Sequence, residues 1–404
     1  MKKILIVALM SVIIIVTGCD KEDIPELGNL PQKTKALIDS DNDFGFDLFQ
    51  RVIADAKPDE NLCVSPLSIS LALAMTYNGA AGETGIAMEE TLKLAGFTRD
   101  EINKLYRDLT LALVSDDPKV NLGIANSIWY RNDFHILEDF VLRNEAYYNA
   151  QVQSLDFADP GAKDVINDWV SDQTHKKIES IVDQISPQSF MFLINAIYFK
   201  GTWQYEFDEK ETQDRPFYLE SGISKQVPSM KQEADLNMMK TEVFNAVELP
   251  YGKGNWAMYV LVPHDSHKVR EITAILDNDS WKNYLPMFHE VKEVKLQLPK
   301  WKSEFETSLV PVLTDMGMGV AFTDAADFSD IAPGLPLRIS DVKHKTFIEV
   351  NEEGTEAAAV TSVEIELTSI SGEFFIADRP FVYLIAEKTT GSILFAGRVM
   401  DPSI

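Results

Sequence analysis

A long strand-like segment near the C-terminal end constrains the fold of this chain most. Residues 355–370 contain neither Gly nor Pro. In a strand, alternate residues would form two faces, one small or apolar and one with three carboxylates. The small or apolar face holds Thr355, Ala357, Ala359, Thr361, Val363, Ile365 and Leu367. Fourteen such residues would span roughly 46 Å, more than twice the usual strand length. The pattern suits a strand in the middle of a sheet, with one face on a core.

Two other structures are compatible with this segment. An ordinary long edge strand has the same alternation. A helix is also compatible, because Glu356 is followed by three alanines and this composition has high helix propensity.

Length and composition indicate a large globular protein. The chain has 404 residues, of which 45% are hydrophobic, so it can bury a sizeable core in one large domain or two ordinary ones. The formal net charge of −26 is opposite to the basic surface that binds nucleic acids, so DNA and RNA are not expected partners. Only two cysteines occur, so folding must depend on packing and not on disulfides.

The N-terminus has the pattern of an export signal. Lys2 and Lys3 precede an apolar run over 4–16, which is short for a membrane span and suits the hydrophobic part of a signal peptide. The run ends in Thr17-Gly18-Cys19, which resembles a bacterial lipoprotein signal over residues 1–18, with Cys19 as the lipidated first mature residue. The alternative is an ordinary signal peptide with a chance cysteine. Cys63 is then the remaining thiol, and we interpret it as a core residue.

These features predict three regions and a location. Residues 19–40 are polar, contain Pro and lack periodicity, which is typical of a solvated tether. Residues 41–404 show no second composition break or repeat and are expected to form one domain. We expect an exported protein, lipid-anchored to the bacterial envelope at the outer membrane or cell surface, with no other membrane contact.

Periodicity indicates an α+β architecture. Helical patterns come first, beginning behind Asp43 and continuing at about 66–80, 84–94, 100–114, 138–149 and 162–175. Strand-like runs dominate later, at 190–199, 246–249, 257–262 and 295–298. Helices followed by strands favour α+β over repeated βαβ units.

The sequence offers little support for a metal site or an enzyme. Asp39, Asp41 and Asp43 alternate like the start of a calcium loop, but Gly and Glu are missing at its sixth and twelfth positions, so helix capping is the better interpretation. His264 and His267 lie in a turn without a third ligand nearby. No nucleophile elbow, zinc-protease motif, phosphate loop or dinucleotide fingerprint is present. We therefore expect neither metal nor cofactor, and no enzymatic activity.

Several segments resemble the serpins, the serine protease inhibitor superfamily. The strand-like segment and the residues before it resemble the hinge of the reactive-centre loop of inhibitory serpins: Glu352, Glu353, Gly354, Thr355, Glu356, Ala357, Ala358, Ala359, Val360 and Thr361. Residues 61–69 resemble the serpin shutter, and 192–203 resemble the central strand leading to the breach tryptophan. Further segments in serpin order are 298–300, 379–381 and 394–399, so the resemblance covers about 42–404.

The resemblance implies a fold of about nine helices around three β-sheets, with an exposed, metastable reactive loop. A target protease attacks the loop as a substrate and forms an acyl-enzyme. The hinge then inserts into the central sheet and deforms the protease before hydrolysis finishes. Small residues on the inward face favour insertion, so we expect an inhibitory serpin. The alternative is a serpin-fold binding or carrier protein that does not inhibit.

The resemblance also assigns structural roles to residues outside the hinge. Ser65, Ser68, Asn195 and His344 correspond to the polar shutter beneath the gap in the central sheet. Trp203 corresponds to the breach tryptophan, and Glu352 with Lys300 to an ion pair at the top of the gap. The alternative interpretation is that the same residues are ordinary buried polar groups that satisfy one another's hydrogen bonds in the core.

The reactive bond is predicted only to within one residue. Counting from Glu352 gives Thr368-Ser369, counting back from Pro380 gives Ser369 as the acyl-side residue, and Leu367 is a third candidate. No Lys or Arg occurs between Thr355 and Asp378, so trypsin-like proteases are poor expected targets. Elastase-like, subtilisin-like, chymotrypsin-like or papain-like proteases are the expected partners of a monomeric inhibitor.

Overall fold

The computed structural model describes residues 25–186, 189–355 and 372–403. The predicted signal peptide over 1–18, the lipidated Cys19 and the first part of the tether lie outside this range.

Nine α-helices occur in the described residues, and most of them lie in the first half of the chain. They are α1 Gln32–Asp55, α2 Pro66–Tyr77, α3 Gly82–Thr91, α4 Arg99–Ser115, α5 Glu138–Tyr148, α6 Ala162–Gln173, α7 Val269–Ile275, α8 Asn278–Tyr284 and α9 Val310–Leu313.

Fifteen strands occur in the same residues and dominate the second half. They are β1 Leu62–Val64, β2 Val120–Arg131, β3 Gln151–Leu155, β4 Met191–Thr202, β5 Gln213–Tyr218, β6 Ser224–Lys240, β7 Phe244–Tyr251, β8 Trp256–Pro263, β9 His289–Pro299, β10 Trp301–Ser308, β11 Lys343–Val350, β12 Gly354–Thr355, β13 Phe374–Ile376, β14 Phe381–Glu387 and β15 Ile393–Val399. The predicted α+β class is confirmed, as are the helices near 66–80, 84–94, 100–114, 138–149 and 162–175.

The described strands form two hydrogen-bonded sheets. The nine-stranded sheet has the order β1-β15-β14-β8-β7-β6-β9-β13, with β5 paired to β6. The six-stranded sheet has the order β10-β11-β12-β4-β2-β3. Three sheets were expected. The long strand β6 pairs with β9 over 229–238 and with β7 over 237–240, so the strands on both sides of it form a single sheet in the described residues.

The six-stranded sheet is covered on both faces. Helix α2 begins at Pro66, is apolar on nearly all sides and lies buried against one face. Helix α6 covers the other face, where Ile166 and Val170 pack with Trp129, Ile194 and Ala196. Alternate residues of β4 therefore face two separate cores.

The predicted tether is wrong for residues 25–40. Helix α1 begins at Gln32, and a short 3₁₀ turn over Leu27–Asn29 precedes it. Leu27, Leu30, Leu37 and Ile38 are buried in the main core. Their apolar spacing was too sparse to mark a helix, but tertiary packing against the body orders the segment. Among the described helices, none is both long and apolar enough to cross a membrane.

Asp39, Asp41 and Asp43 lie inside α1, which begins at Gln32, so the predicted helix capping by these residues is wrong. Asp41 is buried, and its Oδ1 accepts a hydrogen bond of 2.6 Å from the Tyr106 hydroxyl. Its Oδ2 has no hydrogen-bond partner among the described residues. No group of three potential metal-binding side chains occurs in that part of the chain. Burial raises the pKa of Asp41 from 3.8 to about 7, although the Tyr106 hydrogen bond opposes the shift.

The buried Asp41 predicts a stability term that falls as pH rises. The pKa of Asp41 is higher in the folded than in the unfolded protein. Its contribution to the free energy of unfolding is therefore fully present below about pH 4 and is lost by about pH 7. Between pH 5 and 8 we expect the wild type to lose roughly 3 kcal/mol through this group. Asp41→Asn should abolish that loss in denaturant unfolding followed at both pH values. The exposed Asp43→Asn on the same helix is the matched control, and equal pH dependence in both variants would contradict this account.

Candidate functional site: the hinge and the cleft below it

The described start of the hinge is already paired within the six-stranded sheet. Strand β11 ends at Val350, and a tight turn closed by the Asn351 N–H to the Gly354 carbonyl at 3.0 Å reverses the chain. Strand β12 then lies between β11 and β4, with Thr355 opposite both Val350 and Gly201. The chain therefore enters the sheet at Gly354 and points along it.

Two glycines allow the hinge to approach β4 closely. A Cβ atom at Gly354 would lie 2.0 Å from the Gly201 carbonyl oxygen. A Cβ atom at Gly201 would lie 2.7 Å from the Tyr251 ring. A larger residue at Gly354 would push the hinge away from β4, and a larger residue at Gly201 would displace the Tyr251 ring that contacts the hinge.

An aromatic stack supports the point of entry. Trp203 is buried and lies parallel to Tyr251, with ring centroids 4.4 Å apart. The Trp203 indole N–H donates to the Asn351 carbonyl at 2.9 Å. The Tyr251 hydroxyl shares a hydrogen bond of 2.5 Å with the Thr355 hydroxyl. The predicted breach tryptophan thus contacts the hinge turn, while Tyr251, which the sequence interpretation missed, contacts the first inward hinge residue.

Glu352 and Lys300 lie together at the same end of the sheet. The Lys300 ammonium is 2.7 Å from the Glu352 carboxylate, which is 6% exposed. The Thr212 hydroxyl donates to the other Glu352 oxygen at 2.7 Å. Burial alone would raise the pKa of Glu352, but the Lys300 and Thr212 hydrogen bonds outweigh burial and lower it. The ionised carboxylate therefore fastens the turn to the junction between β9 and β10 and to the residue before β5.

Below β12, the two flanking strands separate. Strand β12 is antiparallel to both β4 and β11, so β4 and β11 run parallel to each other. In the described residues, the rest of β4 pairs with β2 and the rest of β11 with β10. A cavity of about 520 Å³ lies there, lined by α2, the start of β4 and the start of β11. We call this space the cleft.

Three of the four predicted shutter residues, Ser68, Asn195 and His344, line the cleft, and Ser65 lies beside His344. They form two hydrogen-bonded groups. On the β4 side, the Ser68 hydroxyl donates to Asn195, and the Asn195 amide donates to Asn126 at 2.6 Å. On the β11 side, the Ser65 backbone N–H donates to Nε2 of His344 at 3.1 Å. The buried Ser65 hydroxyl has no partner among the described residues. Each flanking strand is therefore tied to α2 or its N-terminal residue, and the structure brings all four predicted shutter residues to this region.

Asn126 belongs to the same hydrogen-bonded network as Ser68 and Asn195, and the sequence interpretation missed it. It is buried in β2, and its amide donates to the Tyr148 carbonyl at 2.6 Å, which links the network to α5. An amide side chain inside the apolar run 122–130 was the available signal, because a buried Asn requires hydrogen-bond partners.

The remaining predicted site residues lie outside the described residues. They are Glu356, Ala357, Ala358, Ala359, Val360 and Thr361 of the hinge, and Leu367, Thr368 and Ser369 around the reactive bond.

Comparisons with known proteins agree with this geometry. The family model for Serpin (serine protease inhibitor) matches residues 39–402. The chain belongs to the serpin family. Iripin-3 of Ixodes ricinus is 35% identical over 374 residues, covering 90% of this chain and 94% of its own. The leukocyte elastase inhibitor of Bos taurus is 33% identical over 373 residues, covering 89% of this chain and 97% of its own.

Solved serpin structures share the fold. The thermophilic serpin tengpin in its native state has a TM-score of 0.83 and 32% identity, covering 92% of this chain and 95% of its own. Human thyroxine-binding globulin complexed with its ligand has a TM-score of 0.83 and 29% identity, covering 91% of this chain and 99% of its own. The predicted serpin fold is confirmed. Serpins are generally protease inhibitors and not catalysts.

His344 predicts acid sensitivity of this serpin. Burial lowers the pKa of the imidazole from 6.5 to about 4, and protonation of Nε2 would remove the acceptor for the Ser65 N–H. The pKa of His344 is lower in the folded than in the unfolded protein. Its contribution to the free energy of unfolding is therefore present above about pH 6.5 and is lost as pH falls toward 4.

The comparison variant is His344→Gln, which keeps an acceptor and does not titrate. Between pH 7 and 5 we expect the wild type to lose about 2 kcal/mol more than this variant in denaturant unfolding. Asp41 contributes equally to both proteins and cancels. The exposed His289→Gln should keep the wild-type dependence, and a parallel response of wild type and His344→Gln would contradict the account.

Proposed function

We propose that the protein is a suicide-type inhibitor of serine proteases that traps the acyl-enzyme by inserting its reactive loop into the cleft. The observation that carries the proposal is strand β12, which is seated between two parallel strands above a cleft lined by the shutter. A papain-like cysteine protease would be trapped in the same way through a thioester.

The chemical step uses the protease's own nucleophile. The serine hydroxyl attacks the carbonyl carbon of Thr368, the Thr368-Ser369 peptide bond breaks, and the Ser369 amine leaves with the proton. Thr368 then remains joined to the protease as an ester. The loop is free of its C-terminal attachment and can move while the ester persists.

Strand directions supply a driving force for insertion. A direct β4–β11 pair would be parallel, whereas an inserted strand makes one antiparallel pair with each neighbour. Antiparallel pairing is slightly more stable per residue, and two ladders replace one. Val363, Ile365 and Leu367 would each add about 1.5–3 kcal/mol if fully buried.

The register of β12 predicts where the inserted loop would lie. Thr355 is opposite Gly201 and Val350, so a residue six positions further along the loop falls opposite Asn195 and His344. That residue is Thr361, the last of the small inward residues. The Thr361 hydroxyl would then lie beside Asn195 and His344, which belong to the two hydrogen-bonded groups of the shutter.

Strand length sets the displacement of the protease. Strand β4 has 12 residues, so full insertion beside it would carry the attached protease about 40 Å. Small inward residues permit rapid insertion before the ester hydrolyses. Inhibition is therefore a competition between insertion and deacylation.

The loop composition limits the target class. With no Lys or Arg between Thr355 and Asp378, the loop cannot pair with the acidic specificity pocket of a trypsin-like protease. Thr368 or Leu367 suits the pockets of elastase-like, subtilisin-like or chymotrypsin-like enzymes, and Leu367 beside the bond suits papain-like enzymes. The similarity to the leukocyte elastase inhibitor of Bos taurus is consistent with an elastase-like target.

Covalent trapping is the direct test. The protein is incubated with pancreatic elastase, chymotrypsin, subtilisin and papain, with trypsin as the negative control, followed by denaturing gels and intact mass of the released peptide. We expect a detergent-stable complex and a peptide beginning at Ser369. A peptide beginning at Thr368 or Ile370 would move the acyl-side residue to Leu367 or Ser369. Cleavage by all four enzymes without a complex would contradict inhibition.

Adjacent alanines give a matched pair for the insertion step. Ala359 shares the inward face with the buried Thr355, whereas Ala358 has the opposite parity. Ala359→Arg should place a charge in the closing sheet, slow insertion and raise the number of inhibitor molecules consumed per protease at least severalfold. Ala358→Arg should stay near the wild-type value. Titration of residual protease activity measures both, and equal values would contradict insertion in this register.

A second candidate function is a non-inhibitory binding or carrier role. It is favoured by the similarity to thyroxine-binding globulin, which was solved with its ligand. The small hinge residues favour inhibition, and the complex-formation experiment separates the two functions.

The proposal includes a location. Residues 1–18 would direct export, and Cys19 would carry the lipid that anchors the protein to a bacterial envelope. In an expressing bacterium, Cys19→Ser should abolish incorporation of labelled fatty acid and shift the protein from the membrane to the soluble fraction. Unchanged labelling and fractionation would contradict the anchor.

A further inference from the structure

Strand β13 presents two apolar side chains at the edge of the nine-stranded sheet. Phe374 is 57% exposed and Ile376 is 42% exposed, while Phe375 between them is 2% exposed. The strand pairs only with β9 among the described strands, in a parallel ladder. Phe374 and Ile376 therefore share the solvent face at a sheet edge.

The position of this pair is fixed by surrounding contacts. Phe375 packs into the main core, the Lys295 N–H donates to the Glu373 carbonyl at 2.8 Å, and the Ala377 N–H donates to the Gln297 carbonyl at 2.9 Å. Glu373 also forms an ion pair with Lys240. The two side chains are therefore presented on an ordered strand and not on a loose loop.

A concave surface adjoins the pair. A cavity of about 520 Å³ is lined by β13 together with Pro263, His264 and Arg379. The Lys295 ammonium lies 5.5 Å from the centre of the Phe374 ring. An apolar ridge beside a depression can receive the complementary surface of a partner protein.

Chain length places this surface beside the predicted reactive bond. Phe374 is five residues after Ser369, so it lies at most about 18 Å along the chain from the bond that is cut. A protease domain of roughly 200 residues has a radius of about 21 Å when treated as a sphere. A protease seated on Thr368-Ser369 therefore brings part of its surface within reach of β13.

We propose that Phe374 and Ile376 form a docking site for the target protease outside its active-site cleft. The inference rests on the proposed inhibitory function, which supplies the occupant. Scattered single apolar residues on a surface need no explanation, but this pair is adjacent, ordered and within reach of the docked enzyme. Burial of an aromatic anchor at the centre of such a contact strengthens the encounter complex.

The docking site acts before acylation, which separates its effect from that of the hinge. Loss of the apolar pair lowers the rate constant for association. It leaves unchanged the partition between insertion and deacylation, which is decided after the ester has formed. A docking variant and a hinge variant therefore change different measured quantities.

The test compares Phe374→Ser, Ile376→Ser and the double variant with Ile86→Ser, a control at an exposed apolar residue of α3 that is 58% exposed. Pancreatic elastase is the probe, and subtilisin serves as a second enzyme. We measure the second-order inhibition rate constant, the stoichiometry of inhibition, and the affinity of wild type and variants for elastase with its catalytic serine replaced by alanine.

With elastase as the probe, we expect the double variant to inhibit about tenfold more slowly than the wild type and to bind inactive elastase about tenfold more weakly. The stoichiometry of inhibition should be unchanged. Ile86→Ser should match the wild type, and Phe374→Leu should retain most of the rate because it keeps an apolar side chain. Equal rates and affinities for wild type and double variant would overturn the docking site and leave inhibition intact. If wild type forms no covalent complex with either enzyme, inhibition itself fails and the docking site fails with it.

Discussion

The parallel orientation of β4 and β11 is the constraint on which the rest of this structure depends. In the described residues, these two parallel strands are joined at the top of the sheet by the two residues of β12 and diverge around the cleft below. A strand that fits between them must be antiparallel to both. The hinge leaves β11 through a tight turn and satisfies that requirement with its first two residues. In the described residues, Gly354 and Thr355 occupy one end of the strand position between β4 and β11.

The two ends of the cleft hold different interactions. At the top, close glycine contacts, the Trp203–Tyr251 stack and the Glu352–Lys300 ion pair hold the turn in place. Lower down, polar groups from α2, β4 and β11 line the cleft, and beside His344 the Ser65 hydroxyl is buried without a partner in the described residues. A partly satisfied polar network is costly, so a new strand that supplies hydrogen-bond partners would be stabilised. The contacts at the top order the start of the hinge, and the polar groups lower down favour insertion of a further strand into the cleft.

The sequence predicted the part of this arrangement that depends on local pattern. Alternation after Thr355 predicts a long strand, whose residues from Glu356 to Ser371 lie outside the described residues. The shutter and breach residues were identified by resemblance, and the structure places them at different levels of the gap between β4 and β11. The α1 boundary was missed because Leu27, Leu30, Leu37 and Ile38 are too sparse to mark a helix and gain their burial from distant elements. Asn126 and Tyr251 were missed for a related reason, since their partners are set by tertiary contacts. The pairing of β6 with β9 along one part and with β7 near its end likewise has no local sequence signal. Alternation alone does not reveal which neighbours a strand will pair with.

The central claim is that the loop completes the six-stranded sheet after cleavage. The most direct measurement is thermal unfolding of the intact protein and of the same protein cut once within residues 366–370, with both fragments retained. Insertion adds two antiparallel ladders and buries the apolar residues of the loop, so the cut protein should unfold at a temperature higher by tens of degrees. An unchanged or lower unfolding temperature after cleavage would contradict the account.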